Sequence, residues 1–195
     1  MNDLPQELQT YKILLETWQK TINLVSSSTL PHLEKRHFED SLQLLPYLPP
    51  VPSTLIDLGS GAGFPGLVLA LCRKEFLRVT LVEADLRKCI FLENVSRETF
   101  LNIAIIRSRI EDVSPFKQDI VTARALAPLP KLLDYAFPFL GENSVCLFLK
   151  GKSSELEIEM AKKNWNFSLE IFPSLTDSQG RILKISHLKR ISLHD

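Results

Sequence analysis

A glycine-rich segment, IDLGSGAGFPG (residues 56–66), lies between a short apolar run and a stretch of helical character. Glycine adopts backbone conformations that other residues avoid and lets the chain pass close to a ligand, so such a segment is typical of a tight strand-to-helix turn. Gly61 opens a G-x-G-x-x-G spacing, and Asp57 and Gly59 come in front of it. The segment predicts a nucleoside cofactor site at the edge of a sheet.

Strand-like and helix-like segments alternate after a proline-rich break, PYLPPVPS. Strands are predicted at residues 54–59, 78–85, 103–108, 119–124 and 144–151, with helices at 66–76, 86–100, from about 130, and at 153–164. Two last strands, 167–173 and 181–189, have no helix between them and are expected to pair antiparallel. This alternation predicts an α/β fold with a mostly parallel sheet, whose ligands bind beyond the carboxyl ends of the strands.

The residues before the proline-rich break are predicted to be helical. Apolar side chains recur at helical spacing from Leu4 to Lys20, and a second helix is expected from Pro31, a favoured first-turn residue, to about Leu45. We therefore divide the chain into an N-terminal helical extension (1–50) and a main domain (51–195).

Length and composition exclude several classes of protein. Among the 195 residues no apolar run approaches the roughly 20 that span a bilayer, and the N-terminus lacks the pattern of a signal peptide. A cytoplasmic protein without membrane contact, taken to be a monomer, is therefore expected. The three cysteines and four histidines have no metal-binding spacing, so no metal site is predicted. The formal net charge is zero, so only a local cluster of cations would bind nucleic acid.

Three features distinguish between cofactors. Asp57 ends the first strand, where its charge would oppose a pyrophosphate but favour the cationic methionyl end of S-adenosylmethionine. Glu83, followed by Ala84, ends the second strand, in position to accept hydrogen bonds from ribose hydroxyls, which both candidate cofactors have. The segment SRIED (108–112) follows the third strand, where an acid and a backbone N–H can read an adenine edge. S-adenosylmethionine is favoured, and a nicotinamide oxidoreductase is the alternative enzyme.

Several further segments carry a family resemblance: TINLVSSS (21–28), RHFEDSL (36–42), DLGSGAGFPG (57–66), TLVEADLRKCIFL (80–92), SRIED, ARALAPL (123–129) and LKGK (149–152). With them the chain resembles, over nearly its whole length, the bacterial small-subunit rRNA (guanine-N7) methyltransferases. The resemblance implies a seven-stranded Rossmann-like methyltransferase fold that uses S-adenosylmethionine. It also implies methylation of 16S rRNA in the 30S subunit, at guanosine 527, and cofactor contacts at Gly59, Phe64, Ile110, Glu111 and Arg124. With Gly61, Gly63, Glu83 and Ala84 these are the predicted cofactor residues.

Two departures from the family pattern occur near these positions. Glu83 stands where members of the family commonly have aspartate, which keeps the charge and lengthens its reach. Leu126 stands where they commonly have phenylalanine, which removes an aromatic ring that could stack on a base. The target-base contacts are therefore left open.

The motifs that are absent indicate the kind of atom that is methylated. The chain lacks the Asn/Asp-Pro-Pro-aromatic loop typical of enzymes that methylate exocyclic amines, and it has no Pro-Cys dipeptide for attack through a pyrimidine carbon. Guanine N7 already carries an in-plane lone pair, so it needs alignment with the methyl group rather than a base. We predict no catalytic acid or base, and carbonyl or carboxylate acceptors that read guanine N1–H and N2–H₂.

Positively charged residues follow several of the predicted strands. Their clustering at one edge of the sheet predicts an RNA surface at Arg36, His37, Arg87, Lys88, Arg109 and Lys150. A scattered, solvated face is the alternative for these residues. A ribosome-assembly factor that binds RNA without catalysis is the third function considered, although the intact glycine segment and Glu83 argue against it.

Overall fold

The computed structural model describes residues 5–191, and a seven-stranded sheet lies at its centre. The strands are β1 (Ser53–Leu58), β2 (Leu77–Glu83), β3 (Ala104–Arg107), β4 (Gln118–Arg124), β5 (Leu140–Lys150), β6 (Trp165–Pro173) and β7 (Arg181–Arg190). Their order across the sheet is β3-β2-β1-β4-β5-β7-β6. β7 pairs antiparallel with β5 and with β6, and the other neighbours pair parallel. The predicted α/β class and the antiparallel final pair are confirmed.

Within residues 5–191, six α-helices cover the sheet or precede it: α1 (Gln6–Trp18), α2 (Asp40–Leu42), α3 (Gly66–Cys72), α4 (Leu86–Glu98), α5 (Leu129–Ala136) and α6 (Ser154–Ala161). The chain order reverses between β1 and β4, which are direct neighbours. Ligands of open α/β sheets bind beyond the carboxyl ends of the strands at such a reversal. Here those ends carry the glycine segment and Arg124.

The predicted helix from Pro31 to Leu45 is wrong. This stretch contains a 3₁₀ helix (Ser27–His32), a π-helical segment (Glu34–Glu39) and the short α2, and Pro31 lies inside the first of these. Tertiary contacts outweigh the local periodicity, because Phe38 is fully buried and makes edge contacts with the rings of Tyr11 and Phe64. Wide π turns are frequent at functional sites, where they change the direction of side chains.

Two smaller boundaries also differ from prediction. β5 begins at Leu140 rather than residue 144, because Ser144 donates to the Gln118 carbonyl and Leu140 pairs with Gln118 across a bulge. α3 begins at Gly66 as predicted, but it ends at Cys72 rather than at residue 76.

The N-terminal helices share one apolar core with the sheet. Leu8, Tyr11 and Leu15 of α1 are fully buried in a cluster that also contains Leu67 of α3 and Phe91 of α4. The predicted boundary at residue 50 therefore separates two kinds of secondary structure within a continuous core, and a division into two domains stays a prediction. Within residues 5–191, no helix combines the length and apolar character needed to cross a membrane.

Candidate cofactor and substrate site

The glycine segment after β1 is a tight turn with two different sides. Gly59, Gly61 and Gly63 have φ of 65°, 59° and 101°, in the left-handed region that favours glycine. A Cβ at Gly61 would meet only the Gly59 carbonyl oxygen, at an ordinary contact distance of 3.9 Å, whereas one at Gly63 would lie 2.8 Å from the Leu67 Cβ and from the Tyr11 hydroxyl oxygen. Gly61 therefore leaves room for a ligand, and Gly63 is required by packing beneath the turn.

Asp57 lies behind the turn and does not line the cavity in front of it. Its carboxylate is fully buried. It accepts one hydrogen bond from the Thr122 hydroxyl at 2.8 Å and another from the Gly66 N–H at 3.3 Å. Burial raises the pKa of Asp57 to about 6, against the lowering effect of these hydrogen bonds. The expectation that the Asp57 charge acts on the ligand is therefore wrong. The carboxylate instead links β1 to β4 and to the start of α3 through its hydrogen bonds.

Glu83 holds the same turn from the neighbouring strand. One carboxylate oxygen accepts from the Gly61 N–H at 2.8 Å, and the other accepts from the Asp85 N–H at 2.8 Å. The side chain is 9% exposed, and the exposed Ala84 follows it. Each carboxylate oxygen has two lone pairs, so the group can still accept a bond from a ligand hydroxyl.

The turn faces a cavity of about 450 Å³, within the usual range of ligand sites. The cavity is lined by four predicted cofactor residues, Gly59, Gly61, Phe64 and Arg124, and by three predicted RNA contacts, Arg36, His37 and Lys150. The lining is completed by residues after β5, by the loop between β6 and β7 and by the start of β7, including Gly151, Ser153, Asp177 and Arg181.

Arg124, at the end of β4, is held by the N-terminal segment. Its Nη1 donates to the Arg36 carbonyl at 2.9 Å and lies 3.4 Å from the Asp40 Oδ2, and its Nη2 lies 2.8 Å from the His37 Nδ1. The guanidinium carbon is 5.0 Å from the centroid of the Phe64 ring, a cation–π distance. The charge of Arg124 is thereby presented at the cavity in a single orientation.

The protonation state of His37 follows from these contacts. A guanidinium has no acceptor, so the His37 Nδ1 carries a lone pair and its Nε2–H donates to the Thr29 hydroxyl oxygen at 2.8 Å. Burial, with the charges of Arg124 and Arg36, lowers the pKa of His37 to about 3. His37 is therefore neutral at physiological pH and adds no positive charge to an RNA surface.

Two other predicted RNA contacts at the cavity are paired with acids. The Lys150 Nζ lies 2.6 Å from the Glu157 carboxylate, and its side chain is only 9% exposed. The Arg36 guanidinium lies 2.9 Å from Asp177, and both side chains remain partly exposed. Arg36 is thus available to a ligand at the rim, whereas the Lys150 charge is largely compensated inside.

The remaining predicted cofactor residues lie to the side of the cavity. Ile110 and Glu111 form a 3₁₀ turn after β3, next to β2 in the sheet. The Glu111 carboxylate accepts from the Tyr135 hydroxyl at 2.8 Å. The structure does not bring these two residues into the lining of the main cavity.

The other predicted RNA contacts lie on the outer rim. Arg87 and Lys88 open α4, whose N-cap Asp85 accepts from both of their backbone N–H groups. They line a small depression of about 130 Å³ with residues 21–23 of the N-terminal segment. Arg87 and Arg109 are exposed.

Two residues next to the predicted cofactor residues Arg124 and Gly59 were not themselves predicted as site residues. Asp40 lines the cavity beside Arg124, and Leu126 covers Gly59, since a Cβ there would lie 2.6 Å from a Leu126 methyl carbon. The segment RHFEDSL could have suggested Asp40, because residues 36, 37 and 40 stand within about one helical turn. Their common partner is Arg124, which lies 84 positions after Asp40, and local spacing does not reveal such a contact.

Known proteins of one family are similar to this chain over nearly its whole length. The model of the family described as rRNA small subunit methyltransferase G matches residues 4–183. A relative named ribosomal RNA small subunit methyltransferase G, from Paramagnetospirillum magneticum, is 49% identical over 96% of this chain and 89% of its own length. A protein of the same name from Gluconobacter oxydans is 46% identical over 95% of both chains.

Solved structures agree with the fold. The ribosomal protein L11 methylase of Lactobacillus delbrueckii subsp. bulgaricus superposes with a TM-score of 0.63 at 19% identity, over 77% of this chain and 78% of that one. The expected α/β architecture and the resemblance noted from the motifs are both confirmed. The chain belongs to the rRNA small subunit methyltransferase G family.

Proposed function

We propose that this protein transfers the methyl group of S-adenosylmethionine to N7 of a guanosine in the 16S rRNA of the small ribosomal subunit, at position 527 by the family resemblance. One observation carries the proposal: the glycine turn and the fixed guanidinium of Arg124 line the same ligand-sized cavity, at the carboxyl ends of the adjacent strands β1 and β4. The protein acts as a monomer in the cytoplasm, where its substrate is assembled.

The residues around the turn suit S-adenosylmethionine, which supplies a methyl group on a sulfonium centre. Gly61 leaves backbone room, and the Glu83 carboxylate accepts from ribose hydroxyls while it holds the turn. Ala84, Ile110 and Glu111, at the ends of β2 and β3, form the adenine side. Arg124 binds the carboxylate of the methionyl end, beside the Phe64 ring.

The cavity is suited to a reaction that needs no base. Within residues 5–191 its lining includes no cysteine and one histidine, His37, which is neutral with both ring nitrogens engaged. The lining carboxylates Asp40, Glu157 and Asp177 are each paired with a cation. Guanine N7 has its own lone pair, so the role of the protein is to align it with the methyl group and to exclude water.

Recognition of the guanine uses acceptors on its Watson–Crick edge. An arginine on N7 would occupy the attacking lone pair, and methylation makes the ring cationic, so Arg124 serves the cofactor and leaves N7 free. Asp177 is the most exposed of the three lining carboxylates, at 37%, and offers an acceptor together with backbone carbonyls. Because N7 lies in the deep groove of A-form RNA, the target base is exposed or flipped out.

Phosphate binding is assigned to four cations on the rim, the exposed Arg36, Arg87 and Arg109 and the partly exposed Lys88. His37 and Lys150 support the cavity from inside instead, because one is neutral and the other is paired with Glu157.

The decisive test transfers labelled methyl from S-adenosylmethionine to 30S subunits that lack the modification, and then maps the product by strand cleavage at 7-methylguanine. A single labelled guanosine is expected. Label at an exocyclic amine or in another RNA would contradict the proposed acceptor. Protection from heat by NAD(P) but not by S-adenosylmethionine would indicate an oxidoreductase, and RNA binding without methyl transfer would indicate an assembly factor.

A further inference from the structure

We propose that Asp40, from the N-terminal segment, is a positioning residue of the methyltransferase site that acts by fixing Arg124. This inference rests on the proposed function, because it assigns Arg124 to the bound cofactor. In this proposal Asp40 does not contact the ligand. It holds the Arg124 guanidinium, and the guanidinium contacts the ligand.

The first observation is the origin of the groups that hold Arg124. Arg124 ends β4, yet its three hydrogen-bond acceptors are the Arg36 carbonyl, the His37 Nδ1 and the Asp40 Oδ2. All three come from five consecutive residues of the N-terminal segment, where the π-helical turn passes into α2. The orientation of Arg124 is therefore set by the helical extension, not by the sheet that carries it.

The second observation is that the bonds leave donors unused. A guanidinium has five N–H donors, and the three bonds employ both hydrogens of Nη1 and one of Nη2. Within residues 5–191, the other Nη2 hydrogen and Nε–H have no hydrogen-bond acceptor. Side-chain exposure is 18%, so the group is largely withdrawn from water but still lines the cavity. Two donors are thus available for an anionic ligand group.

The third observation distinguishes Asp40 from the other two acceptors. Asp40 is the only one of the three that is charged, since the others are a carbonyl and a neutral imidazole. Its 17% exposed carboxylate offsets the cost of holding a cation out of water, and a charge-assisted bond is stronger than a neutral one. A long arginine side chain loses rotamer freedom when it binds, so prior fixation favours ligand binding.

A competing explanation is that Asp40 only fixes the loop between β6 and β7. Its Oδ1 accepts from the Thr176 hydroxyl at 2.6 Å and from the Gln43 Nε2 at 2.8 Å. This loop also contributes Asp177 to the cavity. Because the two functions use different oxygens of one carboxylate, they can be separated by substitution.

The test is a double-mutant cycle on the full chain, read by calorimetric titration with S-adenosylmethionine and by steady-state methyl transfer. Asp40→Asn keeps the size of the side chain and an acceptor for the loop but removes the charge. We expect it to weaken S-adenosylmethionine binding by about tenfold or more, because this is the contribution of one charge-assisted hydrogen bond. We also expect it to raise the KM for the cofactor and to leave the KM for the subunit unchanged. In an Arg124→Gln background the same substitution is expected to change binding by less than about twofold.

The control is Thr176→Val, which removes the loop contact and leaves Asp40 beside Arg124. It is expected to keep binding within about twofold of the unmodified protein. The proposal is overturned if Thr176→Val loses as much affinity as Asp40→Asn, or if Asp40→Asn has the same effect with and without Arg124.

Thermal unfolding of each variant verifies that it folds. If Asp40→Asn does not fold, Asp40→Glu replaces it in the same cycle: it keeps the charge and displaces the carboxylate by one methylene. A several-fold loss that disappears in the Arg124→Gln background is then expected, and an equal loss in both backgrounds overturns the proposal. Failure of the proposed function looks different, since the unmodified protein would then transfer no methyl to deficient subunits while the binding cycle could still be measured.

Discussion

Two walls of the same cavity are built in different ways. The wall formed by the glycine turn is contiguous in sequence, and its supporting acids Asp57 and Glu83 stand at the ends of adjacent strands. The adjoining wall, around Arg124, unites residues 84 to 88 positions apart. The first is specified by local backbone requirements, whereas the second exists only when the N-terminal segment has packed against the sheet.

The two aspartates of these walls show the same contrast. Asp57 is fully buried beneath the turn, with only neutral hydrogen-bond donors in contact, and burial raises its pKa to about 6. Asp40 is partly exposed and faces a cation. One carboxylate therefore supports backbone geometry and the other supports a charge, although both lie near the same ligand cavity.

The largest effect is expected within the glycine turn, and it tests the difference between its two sides. Gly63→Ala should lower the free energy of unfolding by about 3–5 kcal/mol, because the new methyl group would collide with Leu67 and Tyr11 at a positive φ. Gly61→Ala makes no close contact and should lose only about 1–2 kcal/mol through its positive φ. Urea unfolding measures both, and equal losses would show that the two sides do not differ.

A smaller effect is expected from the acid that supports the turn. Glu83→Gln places an amide where two backbone N–H groups need acceptors, so one of them loses its partner. S-adenosylmethionine binding should weaken by roughly tenfold to a hundredfold, as expected for a charge-assisted bond. Calorimetric titration measures it, with the exposed Glu93→Gln of α4 as the control for loss of one charge. Unchanged binding in Glu83→Gln would contradict the ribose contact.

In the wall around Arg124, His37 should make the stability of the protein depend on pH. The pKa of His37 is about 3 in the folded protein and has its ordinary value of 6.5 in the unfolded chain. Between these values the unfolded state binds the additional proton, so the free energy of unfolding falls as the pH drops below about 6.5, by up to about 1.4 kcal/mol per pH unit. Denaturant unfolding from pH 7 to 4 should show this slope, and His37→Asn should lose it.

Asp57, beneath the glycine turn, should contribute a pH dependence of stability of the opposite sign in the same measurement. Asp57 has a raised pKa of about 6, so the folded state retains a proton that the unfolded state has lost above about pH 4. Its contribution to stability therefore falls as the pH rises through this window, and Asp57→Asn should remove that fall. If both variants changed the slope in the same direction, the contrast between the two walls would be wrong.

The smallest effect on the folded protein is expected at the outer rim. Charge reversal of Arg87 and Lys88 to glutamate should weaken RNA binding several-fold and reduce its salt dependence, while S-adenosylmethionine affinity stays the same. Filter binding at several salt concentrations measures the first, and calorimetry measures the second. A parallel loss of both affinities would place these residues in the cofactor wall or indicate unfolding.

Much of the sheet and the turn was predictable because each depends on short-range rules. Glycine spacing marks a turn, alternation of strands and helices marks a parallel sheet, and strand ends place Glu83 and Arg124 at one edge. The errors lie where packing outweighs periodicity: the segment 31–45 is broken by the burial of Phe38, and Asp57 turns away from the ligand to satisfy Thr122 and Gly66.

The sequence by itself determined the fold class, the family and the position of the glycine turn, because these follow from local backbone preferences and from contiguous motifs. Only the tertiary structure decided that His37 is neutral, that Lys150 is compensated by Glu157, and that Asp40 faces Arg124. The reason is physical: charge states and ion pairs depend on burial and on distances between residues far apart in the chain, and neither quantity is contained in the order of the residues.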